Sequence, residues 1–574
     1  MSFNKFPSVR VKGSETSCEL GWSNISSRIE KEITNLDRAV VVIECYQGVN
    51  QEELIKGLAG FDHVFLTSDA FKSEEEILKM TFPDVTDDRI FGTISKLEMA
   101  DYLDKEGTEK FHSRINLISK GSILIIGAAA SLLYKNPDLL IYADMARWEI
   151  QLRMRQNQVP NLGLNNLEDS FERQYKIGYF VDWRVCDKLK QELMAKWDFV
   201  IDTNKENNPK MATGEAITKT LEVTATQPFS VVPFFDRGPW GGQWMKEVCD
   251  LDRTQDNFAW CFNCVPEENS LLIEFDNTTF EIPSLNLVFQ QPEELLGRNV
   301  YSHFGAEFPI RFDFLDTIEG GNLSLQVHPL TDYIKDNFGI DYTQDESYYI
   351  MDATEDAKVY LGLKDDIMPE NMIFDLKKAQ LNGNSFNADK YTKAWPAKKH
   401  DHFLIPAGTV HCSGTGCMVL EISATPYIFT FKLWDWGRVG LDGKPRPINI
   451  EHGEKVIQWD RTPDWTRKNL INNISTISSD KGIVEEKTGL HELEFIETRR
   501  YWFSTQISLD TKGTVNVLCL VDGDQALVES QKNAFEPFVV NYAEVFIVPA
   551  AVGGYTIRPC TPDKKLGILK AYVR

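Results

Sequence analysis

LSLQVHP, residues 323–329, alternates apolar and polar side chains with the period of a β-strand and ends on a proline. Gln326 and His328 lie two positions apart, so in a strand both side chains leave the same face. Eighteen residues further on, Glu346 opens ESYYIMD, a second strand-like run. PAGTVH, residues 406–411, sets His411 just beyond a tight Pro-Ala-Gly turn. An amide oxygen, two imidazoles and a carboxylate projecting into one barrel would form an N/O donor set with room for water or substrate. That open arrangement belongs to catalytic rather than structural metal sites. Spacing alone leaves a second reading, because a histidine in a strand also serves as an ordinary core or surface residue.

Outward from this stretch, two textures meet near residue 225. After it, short strand-like runs separated by Pro, Gly, Asn and Asp recur to the C-terminus, as expected for antiparallel sandwiches or barrels. Before it, apolar runs at 38–45 (RAVVVIEC), 63–67 (HVFLT), 122–127 (SILIIG) and 139–143 (LLIYA) alternate with segments of helical spacing such as 145–156 and 186–195. That alternation implies crossovers and a mostly parallel sheet. The polar stretch 204–220 places a domain boundary, and a second polar stretch, 472–486, sets off the last hundred or so residues. The expected organisation is multidomain: an α/β domain over 1–225, a β-barrel domain over 226–470 and a further barrel over 471–574.

Across the 574 residues, 61 Lys and Arg stand against 85 Asp and Glu, a net charge of −24. A surface of that sign argues against nucleic acid or an anionic membrane as partner. It also requires any phosphorylated ligand to find a local basic pocket. Ten scattered cysteines, no signal-peptide core and no apolar run long enough to span a bilayer point to a reduced, cytoplasmic protein. Cys261 and Cys264 form a lone CxxC with no second pair, and read as two buried thiols.

The ordered motifs QVHP, PAGTVH, DWGR and GKPR, with LLGRNVYSHFGAEFPIRFDFLDT before them, resemble class I mannose-6-phosphate isomerases over roughly residues 225–574. The resemblance implies a pair of cupin (jelly-roll) barrels, of which only the first holds metal. It implies Gln326, His328, Glu346 and His411 as ligands, Zn2+ as the ion, and a sugar phosphate as substrate. Consistently, no histidine follows His491. The implied activity is aldose–ketose isomerisation of a hexose phosphate, most simply mannose 6-phosphate to fructose 6-phosphate. The alternative is a non-catalytic sugar-phosphate sensor.

Moving a proton between adjacent carbons through an enediol needs a base near the C–H and a group that holds the developing oxyanion. Arg438 in DWGR, which matches an active-site arginine of the family, is a planar cation suited to that oxyanion or to phosphate. Lys444 and Arg446 in DGKPRP are further cations for a phosphate pocket, or residues of a solvated turn. The base is not evident. The family carries a lysine where this chain has Asp313, although Arg311 lies on the same strand face. The family's Glu-Ser-Trp-Glu-type segment is replaced by Phe258, Ala259, Trp260 and Cys261, while Pro239, Trp240, Gly241 and Gly242 keep the entry motif.

The first domain resembles uridine-kinase-like P-loop kinases over about residues 25–220. The run 40–53 (VVVIECYQGVNQEE) stands where strand, phosphate loop and helix would be, Asp69 sits in a segment like the one holding the kinases' catalytic aspartate, and 147–155 (RWEIQLRMR) is similar to their basic helix. Only Gly48 remains of the GxxxxGK[ST] loop and its lysine is missing, so nucleotide binding is not expected. A degenerate kinase fold of this kind suits packing, regulation or homo-oligomer formation.

Overall fold

The computed structural model describes residues 3–10, 18–275, 278–382, 385–425, 428–439, 448–489 and 494–574. The chain divides into two compact units, one of Ser8–Thr224 with Glu267–Gln291, the other of Met1–Pro7, Ala225–Pro266 and Pro292–Arg574.

In the first unit five strands run parallel: Arg38–Cys45, His63–Leu66, Gly121–Gly127, Leu139–Asp144 and Phe199–Asp202. Arg38–Cys45 is central, between Gly121–Gly127 and Leu139–Asp144, with His63–Leu66 and Phe199–Asp202 outside them. Seven of its eight residues are buried, Ala39–Ile43 as an unbroken apolar run, as a parallel strand covered on both faces requires. Lys210–Thr213 and Glu19–Leu20 extend the sheet antiparallel. The crossovers carry helices such as Glu74–Val85, which starts on a Ser73–Glu76 capping box.

The segment 267–291 belongs to this unit and not to the barrels that its strand-like texture suggested. Ser270–Phe275 pairs antiparallel with Thr278–Pro283 and parallel with Ser8–Arg10. Buried polar contacts hold it there: Asn286 Nδ2 donates to Asp144 Oδ2 at 2.8 Å, and the Glu281 amide donates to Asp202 Oδ2 at 2.9 Å.

The second unit is built of antiparallel sheets. Six strands lie in the order His402–Ile405, Glu346–Ala353, Cys417–Ala424, Ile310–Asp316, Trp260–Cys264, Phe234–Asp236. Five more lie in the order Thr392–Pro396, Lys358–Leu363, His411–Ser413, Leu325–Val327, Phe431–Trp434. A further pair of sheets, of six and four strands, follows from Ser475 onward. Phe503, Leu518, Phe546, Tyr555 and Ile568 pack into an apolar core between them. The polar stretch 472–486, read above as a separator, instead supplies strands of this sheet. Ser475–Asp480 is exposed along its whole length, which explains a composition that looks like a linker.

Cys261 and Cys264 are both buried and free. Among the described residues no helix is long and apolar enough to cross a membrane.

Candidate metal centre

Gln326 sits in Leu325–Val327, and its Cα pairs directly with that of His411, the first residue of His411–Ser413. Glu346 opens Glu346–Ala353 on the other sheet. The turn before His411 depends on Gly408, whose φ of +83° favours glycine and whose added Cβ would lie 2.6 Å from Gln458 Cγ and 2.8 Å from the Val456 oxygen. The Gly408 amide donates to the His328 carbonyl at 3.0 Å, tying this turn to the neighbouring ligand.

Three of the four expected ligands converge. His411 Nε2 lies 2.9 Å from Glu346 Oε1, His328 Nε2 lies 3.2 Å from Glu346 Oε2, and ligand atoms of all three fall within 4.8 Å of one another. All three residues are at most 1% exposed. Gln326 completes the group, with Nε2 3.2 Å from His411 Nε2. A half-turn of the terminal torsion exchanges the amide's nitrogen and oxygen, so the oxygen can face the same point.

The chemistry of this donor set fits a cation. His328 Nδ1 meets the Phe429 carbonyl at 3.2 Å, and His411 Nδ1 meets the Thr409 carbonyl at 2.8 Å. A carbonyl only accepts, so each Nδ1 carries a proton, and in the neutral imidazole each Nε2 then presents a lone pair. Both lone pairs then face a carboxylate, and the buried His328 Nε2 and Glu346 Oε1 have no hydrogen-bond partner among the described residues. Electron pairs meeting without protons between them call for a positive ion. Gln344 Nε2 donates to Glu346 Oε2 at 3.1 Å and orients the carboxylate from behind.

A cleft of about 230 Å³ opens beside this centre. Trp240 and Trp260 form one wall, their rings edge to face at 4.8 Å. On another, Arg311 Nε and Nη2 donate to Asp313 Oδ1 and Oδ2 at 3.1 and 3.2 Å, and Nη2 also reaches Glu421. Burial pushes the Asp313 carboxyl up to about 6 against the pull of Arg311, and burial pushes Glu421 well above the usual range. Lys432 lines the cleft from the other sheet.

Arg438 is not among the described residues lining the cleft. It is held at one remove: Nη1 donates to Asp435 Oδ1 at 3.1 Å, and that same oxygen accepts from Ser324 Oγ, a lining residue, at 2.7 Å. Lys444 and Arg446 lie outside the described residues. Glu421 and Lys432 were missed in the sequence. Their signal was a single charge inside an otherwise apolar strand, Cys417–Ala424 and Phe431–Trp434 respectively.

In the first unit the would-be phosphate loop is filled by the chain itself. Gln47 donates to the Pro160 carbonyl at 2.8 Å and accepts from Trp183 Nε1 at 3.0 Å, while a Cβ on Gly48 would lie 2.8 Å from Ile150. Of the basic helix Arg147–Arg155, Arg147 pairs with Asp187, and Arg153 pairs with Glu149 at 2.8 Å and the Thr203 carbonyl at 2.9 Å. Asp69 forms an exposed pair with Arg114 at 2.8 Å.

A family model described as a domain of unknown function (DUF8485) matches residues 21–226. The chain is 24% identical over 240 residues to the mannose-6-phosphate isomerase ManA of Bacillus subtilis (strain 168), covering 42% of this chain and 70% of that protein. It is 25% identical over 246 residues to the mannose-6-phosphate isomerase of Streptococcus mutans, covering 42% and 72%. A crystal structure of the mannose 6-phosphate isomerase from Bacillus subtilis superimposes with a TM-score of 0.50 at 17% identity, covering 60% of this chain and 99% of that one, a likeness of fold. The similarity to these isomerases lies in the C-terminal, cupin-type region.

Proposed function

We propose that the barrel unit is a metal-dependent aldose–ketose isomerase that interconverts mannose 6-phosphate and fructose 6-phosphate. One observation carries the reading: the Nε2 atoms of two buried imidazoles lie 3.2 and 2.9 Å from one buried carboxylate, beside a cleft walled by aromatic and charged side chains. Gln326, His328, Glu346 and His411 would hold the ion, and an imidazole-rich N/O set favours zinc. Such an ion supplies Lewis acidity that polarises the sugar's oxygens. The chain's own residues do the rest. The Phe429 and Thr409 carbonyls fix both imidazoles, and Gln344 fixes the carboxylate. Asp435 holds Arg438 as a cation for developing negative charge, and the sequence adds Lys444 for phosphate. Incubating zinc-loaded protein with mannose 6-phosphate and assaying fructose 6-phosphate tests this. Absence of interconversion in either direction overturns it.

For the first unit the reading is a degenerate P-loop-kinase-like domain. The order of its five parallel strands, numbered along the chain, is 2-3-1-4-5, which supports a doubly wound nucleotide-type fold. The filled loop supports loss of the phosphate site. Calorimetric titration with ATP and GTP is expected to give no saturable binding, and micromolar affinity overturns it. Ten free cysteines support a reducing, cytoplasmic setting.

A further inference from the structure

We infer that Asp313 is a specificity-determining residue: by gripping Arg311 at two points it makes this wall of the cleft receive sugar hydroxyls and turns phosphate away from it. The inference rests on the reading of the cleft as a sugar-phosphate site and adds the direction in which the substrate lies.

Arg311 and Asp313 stand two positions apart on Ile310–Asp316, with side chains on one face, and the Cα of Asp313 pairs with that of Glu421 on the neighbouring strand. All three line the cleft and are at most 5% exposed. A guanidinium is a planar fork that fits a carboxylate or a phosphate equally well. Here Asp313 already fills the fork, with Nε and Nη2 donating at 3.1 and 3.2 Å, and Glu421 takes a further bond from Nη2. A phosphate approaching Arg311 would have to displace Asp313 and then lie beside two carboxyl groups. A hydroxyl meets no such opposition, since it can donate to a carboxylate oxygen and accept from the guanidinium. Among the described residues lining the cleft the other cation is Lys432, on the opposite sheet, its Cα paired with that of Gln326. The Arg311 side of the cleft therefore takes the hydroxyls of the substrate rather than its phosphate end.

Asp313→Asn keeps the side chain's shape and removes its charge, so the fork opens to other anions. Inorganic phosphate, titrated by calorimetry into zinc-loaded protein, is expected to bind Asp313→Asn about fivefold tighter than the unaltered chain. Adding Arg311→Met should abolish the gain. Equal phosphate affinity in the unaltered chain and Asp313→Asn, at matched metal content and melting temperature, overturns the inference, as does a gain that survives Arg311→Met. Should Asp313→Asn not fold, Asp313→Ser removes the same charge from the fork; it must then raise phosphate affinity, and no rise overturns the inference. These titrations read binding alone. A chain without turnover on any hexose phosphate would refute the isomerase reading and leave this comparison standing.

Discussion

His411 Nε2 stands 2.9 Å from Glu346 Oε1, while its Nδ1 is engaged at 2.8 Å by the carbonyl of Thr409, two residues before it. The short PAGTVH turn thus sets both the position of the ring and its tautomer, and the lone pair that results points at a buried anion. His328 repeats the arrangement from another strand through the Phe429 carbonyl. A site so built is electrostatically incomplete until a cation enters.

Metal content is the direct check. The purified chain is expected to carry about one zinc, as a single tetrahedral-type donor set implies, and His328→Ala or His411→Ala to retain less than about a tenth of it. Chelation should lower the melting temperature by several degrees, because an ion at a hundred times its Kd stabilises the folded state by about 2.7 kcal/mol. Atomic emission and thermal unfolding measure both. Full metal retention in either variant would mean that these rings are not ligands.

Gly408→Ala tests whether the turn positions the site. A left-handed backbone costs a residue with a Cβ about 1–2 kcal/mol, and that Cβ would also press on Gln458 Cγ at 2.6 Å and the Val456 oxygen at 2.8 Å. The chain must shift, and the hydrogen bond from Gly408 to the His328 carbonyl shifts with it. Equilibrium unfolding should show a loss of about 2 kcal/mol or more. A metal-competition titration should show zinc held about tenfold more weakly. An unchanged zinc affinity would separate the turn from the ligands.

Strand alternation put Gln326 and His328 on one face and the Pro-Ala-Gly turn marked the approach to His411, while the four-residue donor set came from the resemblance and not from spacing. What could not be read was register. Nothing local says that Glu421 lies beside Asp313, or that Lys432 faces Gln326, because those pairings join residues more than a hundred positions apart. Long-range pairing also carried the segment 267–291 into the first unit, where Asp144 and Asp202 wait for its polar groups. The hairpin starting at Ser475 misled for a different reason: an edge strand exposed on both faces has no apolar period to betray it. In the first unit the apolar runs marked the parallel strands, and Gln47 at the loop after the first of them is held by Trp183.

His402 supplies a pH dependence. It is fully buried, and burial, with the Arg500 cation adding to it, pushes its imidazole down to about 3. In the unfolded chain it titrates near 6.5. Between those limits the unfolded state binds the extra proton, so the stability contributed by neutral His402 is complete above about 6.5 and is lost as pH falls toward 3. From pH 7 to pH 5 the loss is about 2 kcal/mol. His402→Leu, compared with the unaltered chain as metal-free protein by denaturant unfolding at both pH values, should flatten the slope by that amount. Parallel slopes would assign the acid sensitivity to other groups.

Asp435 joins two residues of the site, a lining serine and a cation behind it. Its Oδ1 accepts from Ser324 Oγ at 2.7 Å and from Arg438 Nη1 at 3.1 Å, so one carboxylate oxygen aligns a lining hydroxyl with the cation behind it. Asp435→Asn keeps the volume but halves the acceptor character, and a charge-assisted bond becomes a neutral one worth roughly half as much. The guanidinium keeps its Nη2 bond to the Asn322 carbonyl but is held less firmly at Nη1, and a misplaced cation stabilises developing charge less well. Isomerisation should fall roughly tenfold or more in kcat with little change in KM, while zinc content stays at its original level, because no ligand is disturbed. Arg438→Lys should fall by a similar factor, since an ammonium cannot reproduce the fork. The double variant should be little worse than either single one if both act through the same contact. Additive losses in the double variant would show that Asp435 and Arg438 serve separate purposes.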